Sequence, residues 1–147
     1  MTKQHTDFAT SMGPWLVTWD ELEPYCTKTP KGNSYNLSMK AYLNGELISE
    51  GNLNQMHYTF AEILERVSYG CNVYPGDVIG SGTVSSGCFR ELNYLNTLSQ
   101  QQPNNQCMEK WLEPGDRIAL EIEALGLLTN TMETSKAEYS LLALKRK

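Results

Sequence analysis

Alternating apolar and polar residues predict a strand hairpin in the first half of the chain. From Tyr35 to Leu43 every second residue is apolar or aromatic, which is the period-two pattern of a half-buried strand. Asn44-Gly45 then predicts a tight hairpin turn, and Leu47-Ile48 begins the returning strand. We therefore expect two adjacent strands joined at Asn44-Gly45.

The period changes to that of a helix between residues 59 and 69. The apolar residues fall at positions i, i+3, i+4 and i+7, namely Phe60, Ile63, Leu64 and Val67. Thr59 is placed to cap the helix N-terminus, with Glu62 three residues later, and Gly70 is placed to end it. This segment is the one clear helix that the pattern predicts.

Two Pro-Gly-Asp turns precede strands in the second half. Pro75-Gly76-Asp77 is followed by Val78-Ile79, which we predict to begin a strand. Pro114-Gly115-Asp116 is followed by the segment 117–123, in which Ile118, Leu120 and Ile122 alternate with polar or small residues. That alternation predicts a strand with one apolar and one hydrated face.

The remaining segments carry weaker patterns. We expect a short strand over Trp15–Thr18, a brief helical turn over Asp20–Leu22 and a loop over Lys28–Ser34. Polar, low-complexity sequence predicts a surface insertion over residues 96–110. In the tail, 131–147, the stretch Tyr139–Leu144 is compatible with either a last strand or a helix.

Composition restricts the class of protein. The 147 residues are enough for a single domain, 1–147, with a modest core. A net charge of −5 argues against nucleic acid as a partner, because phosphate binding needs clustered Lys and Arg. No apolar run approaches the ~20 residues of a membrane-spanning helix, so no membrane association is expected.

The cysteines and the N-terminus favour a cytoplasmic location. No secretory hydrophobic stretch precedes the predicted elements. The four cysteines are far apart and contain no Cys-x-x-Cys pair, which is typical of neither a zinc site nor a dense disulfide framework. They are Cys26, Cys71, Cys88 and Cys107.

A glycine-spaced loop follows the first Pro-Gly-Asp turn and is the main candidate for chemistry. Gly80, Gly82 and Gly87 allow close approach to the backbone, and hydroxyl side chains stand between them at Thr83, Ser85 and Ser86. Backbone N–H groups and hydroxyls in such a loop suit a carboxylate or another small oxyanion. The alternative is a glycine-rich hairpin without a ligand.

Four blocks in order resemble the fumarylacetoacetate hydrolase family. They are Asp7–Leu22 with its Gly-Pro-Trp, Leu43–Glu46 with Asn-Gly-Glu, Tyr74–Cys88 with the Gly-Thr loop, and Leu112–Asn130 with its Glu-x-Glu strand. Together they cover residues 7–130 and resemble the C-terminal portion of the family's catalytic domain. The resemblance implies a mainly β fold, a rolled or sandwich-like mixed sheet with one main helix.

The same resemblance implies metal-assisted chemistry. Members hold Mg²⁺ or Mn²⁺ on carboxylates and act on a dicarbonyl or keto-acid substrate, by carbon–carbon bond hydrolysis or a related reaction. The family's metal ligands, a Glu-x-Glu pair and an aspartate, precede the first block, so we expect them to be missing from this chain. Glu121 and Glu123 share that spacing but fall in a later strand, and we interpret them as a hydrated strand face.

Several substrate-side positions are implied by the resemblance. Phe8 and Thr10 match the family's first block, whereas the position of its lysine is Thr6. Gly82 and Thr83 match the Gly-Thr loop that meets a substrate carboxylate or carbonyl. Glu91 resembles an acidic residue that helps to orient a catalytic water. We thus predict Glu91 as catalytic and Thr10, Gly82 and Thr83 as substrate-binding.

Three functional hypotheses remain open. The chain is a divergent metal-dependent hydrolase or relative, a truncated non-catalytic remnant or half of a split enzyme, or a small β-rich binding or dimerisation module. The expected partners are a small keto acid or dicarbonyl and either a second copy or a missing N-terminal half. A nucleophilic mechanism is not favoured, because no Ser/His/Asp or Cys/His arrangement is visible and His57 is interpreted as structural.

Overall fold

A computed structural model describes residues 10–84, 87–99 and 110–134. The strands are β1 (Cys26–Thr29), β2 (Gly32–Tyr35), β3 (Ser38–Leu43), β4 (Glu46–Asn52), β5 (Arg117–Ile122) and β6 (Gly126–Thr131). The α-helices are α1 (Phe60–Ser68) and α2 (Phe89–Ser99), and 3₁₀ helices occupy Glu23–Tyr25 and Leu53–Gln55. The predicted mainly β fold is confirmed.

The main sheet has four strands in the order β4-β3-β5-β6. Each of these pairs is antiparallel, as is the separate two-stranded β1-β2 hairpin. The predicted hairpin at Asn44-Gly45 is confirmed, since β3 and β4 are joined there. The predicted strand after Pro114-Gly115-Asp116 is confirmed as β5, which adds to the other side of β3.

The period-two pattern of β3 and β5 produces one apolar sheet face. Met39 pairs with Ile122, Ala41 with Leu120, and Leu43 with Ile118, so all six side chains lie on the same side. We call this the apolar face. The opposite, polar face carries charged groups such as Lys40 and Glu121, which also form a cross-strand pair.

The predicted strand over Tyr35–Leu43 is in fact two strands. The chain leaves β2 at Tyr35 and enters β3 at Ser38. Between them, the Asn36 amide donates to the Tyr25 carbonyl at 2.9 Å and the Leu37 carbonyl accepts from the Leu53 amide at 3.0 Å. The alternation of apolar and polar residues in the sequence continues through this break, because Leu37 is fully buried where the chain passes between the two sheets.

Three other secondary-structure predictions were wrong. The loop predicted over Lys28–Ser34 contains most of the β1-β2 hairpin. Backbone pairing forms this hairpin although its side chains are mainly polar. The strands predicted over Trp15–Thr18 and at Val78-Ile79 do not form in the described residues. Both segments expose apolar side chains, with Leu16 91% and Val78 71% exposed, and no neighbouring strand pairs with their backbones.

Helix α1 begins as predicted and ends at Ser68, with Tyr69 as its C-cap, two residues before Gly70. Thr59 caps it with a complete capping box, in which the Glu62 amide donates to the Thr59 hydroxyl and the Glu62 carboxylate accepts from the Thr59 amide at 2.9 Å. The Thr59 hydroxyl also donates to the Lys31 carbonyl at 2.8 Å, which fixes α1 against the β1-β2 turn.

Helix α2 was not predicted. Its last four residues lie in the segment expected to be a surface insertion, 96–110, whose residues 100–109 are outside the described part. The sequence of α2 is polar and weakly periodic. Its buried polar residue, Asn93, makes hydrogen bonds to a residue that follows much later in the chain. Asn93 donates to the Lys110 carbonyl and accepts from the Lys110 amide, both at 3.1 Å. Most of the tail 131–147 also lies outside the described residues.

The hydrophobic core is small. Leu22, Tyr35 and Leu37 form its buried centre, between the β1-β2 hairpin and the end of β5. Trp19 extends this cluster, with its ring centroid 5.5 Å from that of Tyr35, yet it is itself 64% exposed.

Among the described helices, none combines the length and apolar character needed to cross a membrane.

Asn44 and Asp116 lock the hairpin turn onto the start of β5. The Asn44 side chain donates to Asp116 Oδ1 at 2.8 Å and accepts from the Arg117 amide at 2.9 Å. Asn44 also has φ of 53°, a left-handed conformation that asparagine tolerates better than most residues. The turn residue therefore joins β3, β4 and β5 at one point.

We expect Asn44→Ala to lower the free energy of unfolding by about 2 kcal/mol, through lost side-chain hydrogen bonds and strain at positive φ. Asn44→Gly is the matched control, because it loses the same hydrogen bonds but accepts the backbone conformation. Urea unfolding should therefore rank wild type above Asn44→Gly and Asn44→Gly above Asn44→Ala. Equal stability of all three would contradict the lock.

The same lock predicts a pH dependence of stability. Hydrogen bonds from the Glu113 amide and then the Asn44 side chain hold the pKa of Asp116 below its ordinary value of 3.8. A carboxylate with a lowered pKa stabilises the fold above its ordinary value, and this contribution disappears as pH falls through the folded pKa. Between about pH 5 and pH 2, Asp116→Asn should lose stability less steeply than wild type in urea titrations.

Candidate functional site

The predicted Pro-Gly-Asp turn is present at the start of the glycine-spaced loop. The Asp77 amide donates to the Tyr74 carbonyl at 3.0 Å, and the Asp77 carboxylate accepts from the Tyr74 amide at 2.8 Å. The carboxylate closes the turn, so the chain leaves it in a fixed direction. The following residues as far as Val84 form an irregular segment instead of the expected strand.

Val84 seats this loop on the apolar face of the main sheet. Its Cγ1 lies 2.6 Å from the point that a Cβ on Gly51 would occupy, so only glycine at position 51 permits this contact. Gly51 belongs to β4 and pairs with Met39. Beyond Val84 the chain turns, with the Gly87 amide donating to the Val84 carbonyl at 2.8 Å.

A cavity of about 260 Å³ lies between the seated loop and the sheet. The loop contributes Gly82, Thr83, Val84 and Gly87 to its lining. The sheet contributes mainly apolar-face residues, namely Met39, Ala41, Leu120 and Ile122, together with Ser49 of β4. We call this space the loop cavity.

Two of the four predicted site residues line the loop cavity. Gly82 and Thr83 do so, and both are solvent-exposed at its rim. Gly82 has φ of 94° and open space where a Cβ would be, so a ligand can approach the backbone closely at this point. A Thr83 hydroxyl beside it adds a hydrogen-bonding group.

Thr10 and Glu91 do not line this cavity. Thr10 is exposed at the first described position, and Thr6 and Phe8 lie outside the described residues. Glu91 is exposed in the first turn of α2, where a carboxylate also interacts favourably with the positive end of the helix dipole. The catalytic role of Glu91 and the substrate-binding role of Thr10 thus stay predictions.

The acidic residues of the described segments do not form a metal site. In residues 10–84, 87–99 and 110–134, no three or more His, Cys, Asp or Glu side chains converge in a way that could hold an ion. Mg²⁺ and Mn²⁺ require several oxygen ligands. The described residues therefore do not fit the implied ion, and we assign no step to it.

Glu121 and Glu123 are both exposed, in keeping with the hydrated strand face predicted for them. Glu121 accepts a hydrogen bond from the Tyr42 hydroxyl at 2.9 Å, and Glu123 accepts from the Ser38 amide at 3.2 Å. The bond to the Glu121 carboxylate raises the pKa of Tyr42, because only the neutral phenol can donate it. His57 is exposed and packs edge-on against the Tyr58 ring at 4.7 Å.

The sequence interpretation missed Gly51 and the apolar wall of the cavity. An isolated glycine inside a strand is a known indication of close backbone approach, so Gly51 could have been singled out. Its partner Val84 could not, because the contact joins segments far apart in the sequence. The apolar wall depends equally on the pairing of β3 with β5.

Comparison with known proteins identifies the family. The family model described as "Fumarylacetoacetate (FAA) hydrolase C-terminal" matches residues 1–133, which is most of the chain. This protein belongs to the fumarylacetoacetate hydrolase C-terminal family. The resemblance read from the four sequence blocks is thereby confirmed.

Proteins similar in sequence to this chain include a fumarylacetoacetase and an oxaloacetate tautomerase. Fumarylacetoacetase of Arabidopsis thaliana is 30% identical over 139 residues, covering 76% of this chain and 32% of that enzyme. Human mitochondrial oxaloacetate tautomerase FAHD2A is 32% identical over 120 residues, covering 81% of this chain and 30% of that enzyme. The chain thus spans about a third of the length of these relatives.

A solved structure supports the family fold. A crystal structure of a candidate HpcE protein from Mycobacterium smegmatis matches with a TM-score of 0.58 and 28% identity. The match covers 83% of this chain and 36% of that chain. The fold of this chain is therefore similar to that of part of the solved protein.

We expect Gly51→Ala to displace Val84 and loosen the loop, since the new Cβ would lie far inside contact distance. Overpacking of this kind should lower the free energy of unfolding by about 1–3 kcal/mol. Hydrogen exchange at the Gly87 amide should also accelerate, because that amide bonds to the Val84 carbonyl.

Gly70→Ala is the matched control, because nothing lies within 4 Å of its Cβ position. Urea unfolding and amide exchange should leave this control close to wild type. If Gly51→Ala behaved like Gly70→Ala in both measurements, the seating of the loop on Gly51 would be wrong.

Proposed function

We propose that this chain forms the substrate-side part of a metal-dependent hydrolase site that acts on a dicarbonyl or keto acid. The observation that supports this proposal most directly is that Gly82 and Thr83 lie together at the rim of the loop cavity. In this proposal they bind the carboxylate or carbonyl oxygens of the substrate. The reaction class is carbon–carbon bond hydrolysis or a related conversion of a keto acid.

The names of two relatives support this substrate class. One relative is named for fumarylacetoacetate and another for oxaloacetate. Both compounds are acids that also carry a ketone, so a common binding device would recognise a carboxylate close to a carbonyl. A glycine-opened backbone with a neighbouring hydroxyl provides donors for such oxygens.

In this proposal the described residues supply substrate binding and not the whole reaction. The Thr83 hydroxyl can donate to a substrate oxygen, and the open position at Gly82 admits that oxygen to the backbone. The apolar cavity floor lowers the local dielectric and so strengthens such a charge-assisted hydrogen bond. The family resemblance implies that Glu91 orients a catalytic water, although Glu91 does not line the loop cavity.

The second candidate function is binding or dimerisation without catalysis. The observation that favours it is the large exposed apolar surface, for example Trp15 at 77% and Leu16 at 91% exposure. Surfaces of this kind commonly pack against another chain or domain. A homodimer of this chain belongs to this alternative. We also propose a cytoplasmic location for the protein, because the thiols of Cys26, Cys71 and Cys88 are free and free thiols are typical of a reducing compartment.

Calorimetric titration with oxalate, a mimic of a keto acid, tests the binding role. Oxalate should bind the folded chain, and Thr83→Val should weaken it roughly tenfold by removing one hydrogen bond to a charged ligand. Thr129→Val on β6 is the matched control and should bind like wild type. Equal affinities for Thr83→Val and wild type, or no heat from folded wild-type protein, would refute the proposal.

A turnover assay separates the enzyme from the non-catalytic alternative. The chain's own turnover is measured as the loss of the dicarbonyl absorbance of acetylpyruvate in the presence of Mn²⁺. Where turnover occurs, Glu91→Gln should abolish it while leaving oxalate affinity within about twofold. Retention of turnover in Glu91→Gln would remove Glu91 from the catalytic role. Oxalate binding by the wild type without any turnover would favour the binding module.

A further inference from the structure

Beyond the rim formed by Gly82 and Thr83, the wall of the loop cavity is mainly hydrocarbon. Resting on the function proposed above, we propose that this cavity holds an apolar tail of the substrate. The ligand is then a 2-keto acid with a hydrocarbon chain or phenyl group, in preference to a small dicarboxylic keto acid. Its carboxylate and carbonyl stay at the rim while the tail enters between loop and sheet.

The strand register explains why the wall is apolar. Met39 pairs with Ile122 and Ala41 pairs with Leu120, so these four side chains project from the same face into the space beneath the loop. Val84 closes the space from the loop side. Leu120 is still 46% exposed, although it occupies a central position of the sheet, because the loop leaves the cavity in front of it open.

The charged residues near the cavity are directed away from it. Lys40 and Glu121 contribute to the lining, yet in the alternation of their strands both belong to the polar face. The Glu121 carboxylate is also bonded to the Tyr42 hydroxyl at 2.9 Å on that face. Among the described lining residues, none therefore presents a cation to a second carboxylate inside the cavity, so a dicarboxylic acid would lose solvation there.

The size of the cavity sets the length of the tail. Its volume is about 260 Å³. An apolar cavity of about 150 Å³ in another protein is large enough for benzene. The loop cavity therefore has room for a phenyl group or a chain of about four to six carbons, and Ala41 at its floor is the small residue that keeps the space open.

A series of keto acids tests this inference by calorimetry on the wild-type chain. The probes are pyruvate, 2-oxobutyrate, 2-oxohexanoate, phenylpyruvate and oxaloacetate. Affinity should rise roughly twofold to fourfold for each added methylene, as expected for burial of hydrocarbon. The heat capacity change should become more negative along the series. Oxaloacetate should bind at least about tenfold more weakly than 2-oxohexanoate.

Ala41→Leu locates the tail. The larger side chain fills the cavity floor, so it should remove the advantage of 2-oxohexanoate and phenylpyruvate while leaving pyruvate affinity within about twofold. Ala119→Leu is the matched control, because it adds the same hydrocarbon to the opposite face of the sheet. It should keep the wild-type preference for long tails.

The outcomes distinguish this inference from the function on which it rests. If pyruvate and oxaloacetate bind as tightly as 2-oxohexanoate, the apolar-tail inference is overturned while keto-acid binding stands. If no keto acid binds, both are overturned. The wild-type series decides the inference even if Ala41→Leu does not fold.

Discussion

Strand β3 is the element on which the rest of the structure depends. It pairs with β4 on one side and β5 on the other, and so joins a local hairpin to a segment that follows much later in the chain. Both ends of this pairing are fixed by side chains. Asn44 holds the start of β5 at one end, and at the other the Glu123 carboxylate accepts from the Ser38 amide. This register aligns the apolar side chains of β3 and β5 into one face. Among the described residues few other apolar side chains are buried.

The candidate site is a consequence of that apolar face. The loop after Pro75-Gly76-Asp77 packs on the sheet through Val84, and the absent side chain of Gly51 admits it. The contact leaves a cavity whose rim carries Gly82 and Thr83 and whose floor is hydrocarbon. A polar recognition point beside an apolar space is the usual arrangement of small-molecule sites.

Sequence analysis succeeded where the structure is determined by neighbouring residues. The Asn44-Gly45 turn, the capping box of Thr59 and Glu62, and the alternation of β5 are all local, and all three are present. The interruption at Asn36 and Leu37 and helix α2 were missed, because both depend on partners farther along the chain. The β1-β2 hairpin is local, and it was missed because its mainly polar side chains give no apolar alternation. The Gly82-Thr83 loop could likewise be identified as a candidate from local sequence, whereas the contact of Val84 with Gly51 and the apolar wall could not, because both join segments far apart in the chain.

Hydrogen exchange measured by mass spectrometry, with and without phenylpyruvate, tests the central claim most directly. The claim is that the ligand site lies where the Gly82-Thr83 loop meets the apolar face of the sheet. It predicts that phenylpyruvate slows exchange of the amides of residues 80–84, while those around the Thr59 cap of α1 exchange at an unchanged rate. Unchanged exchange in the loop together with protection confined to another region, such as residues 57–60, would contradict it.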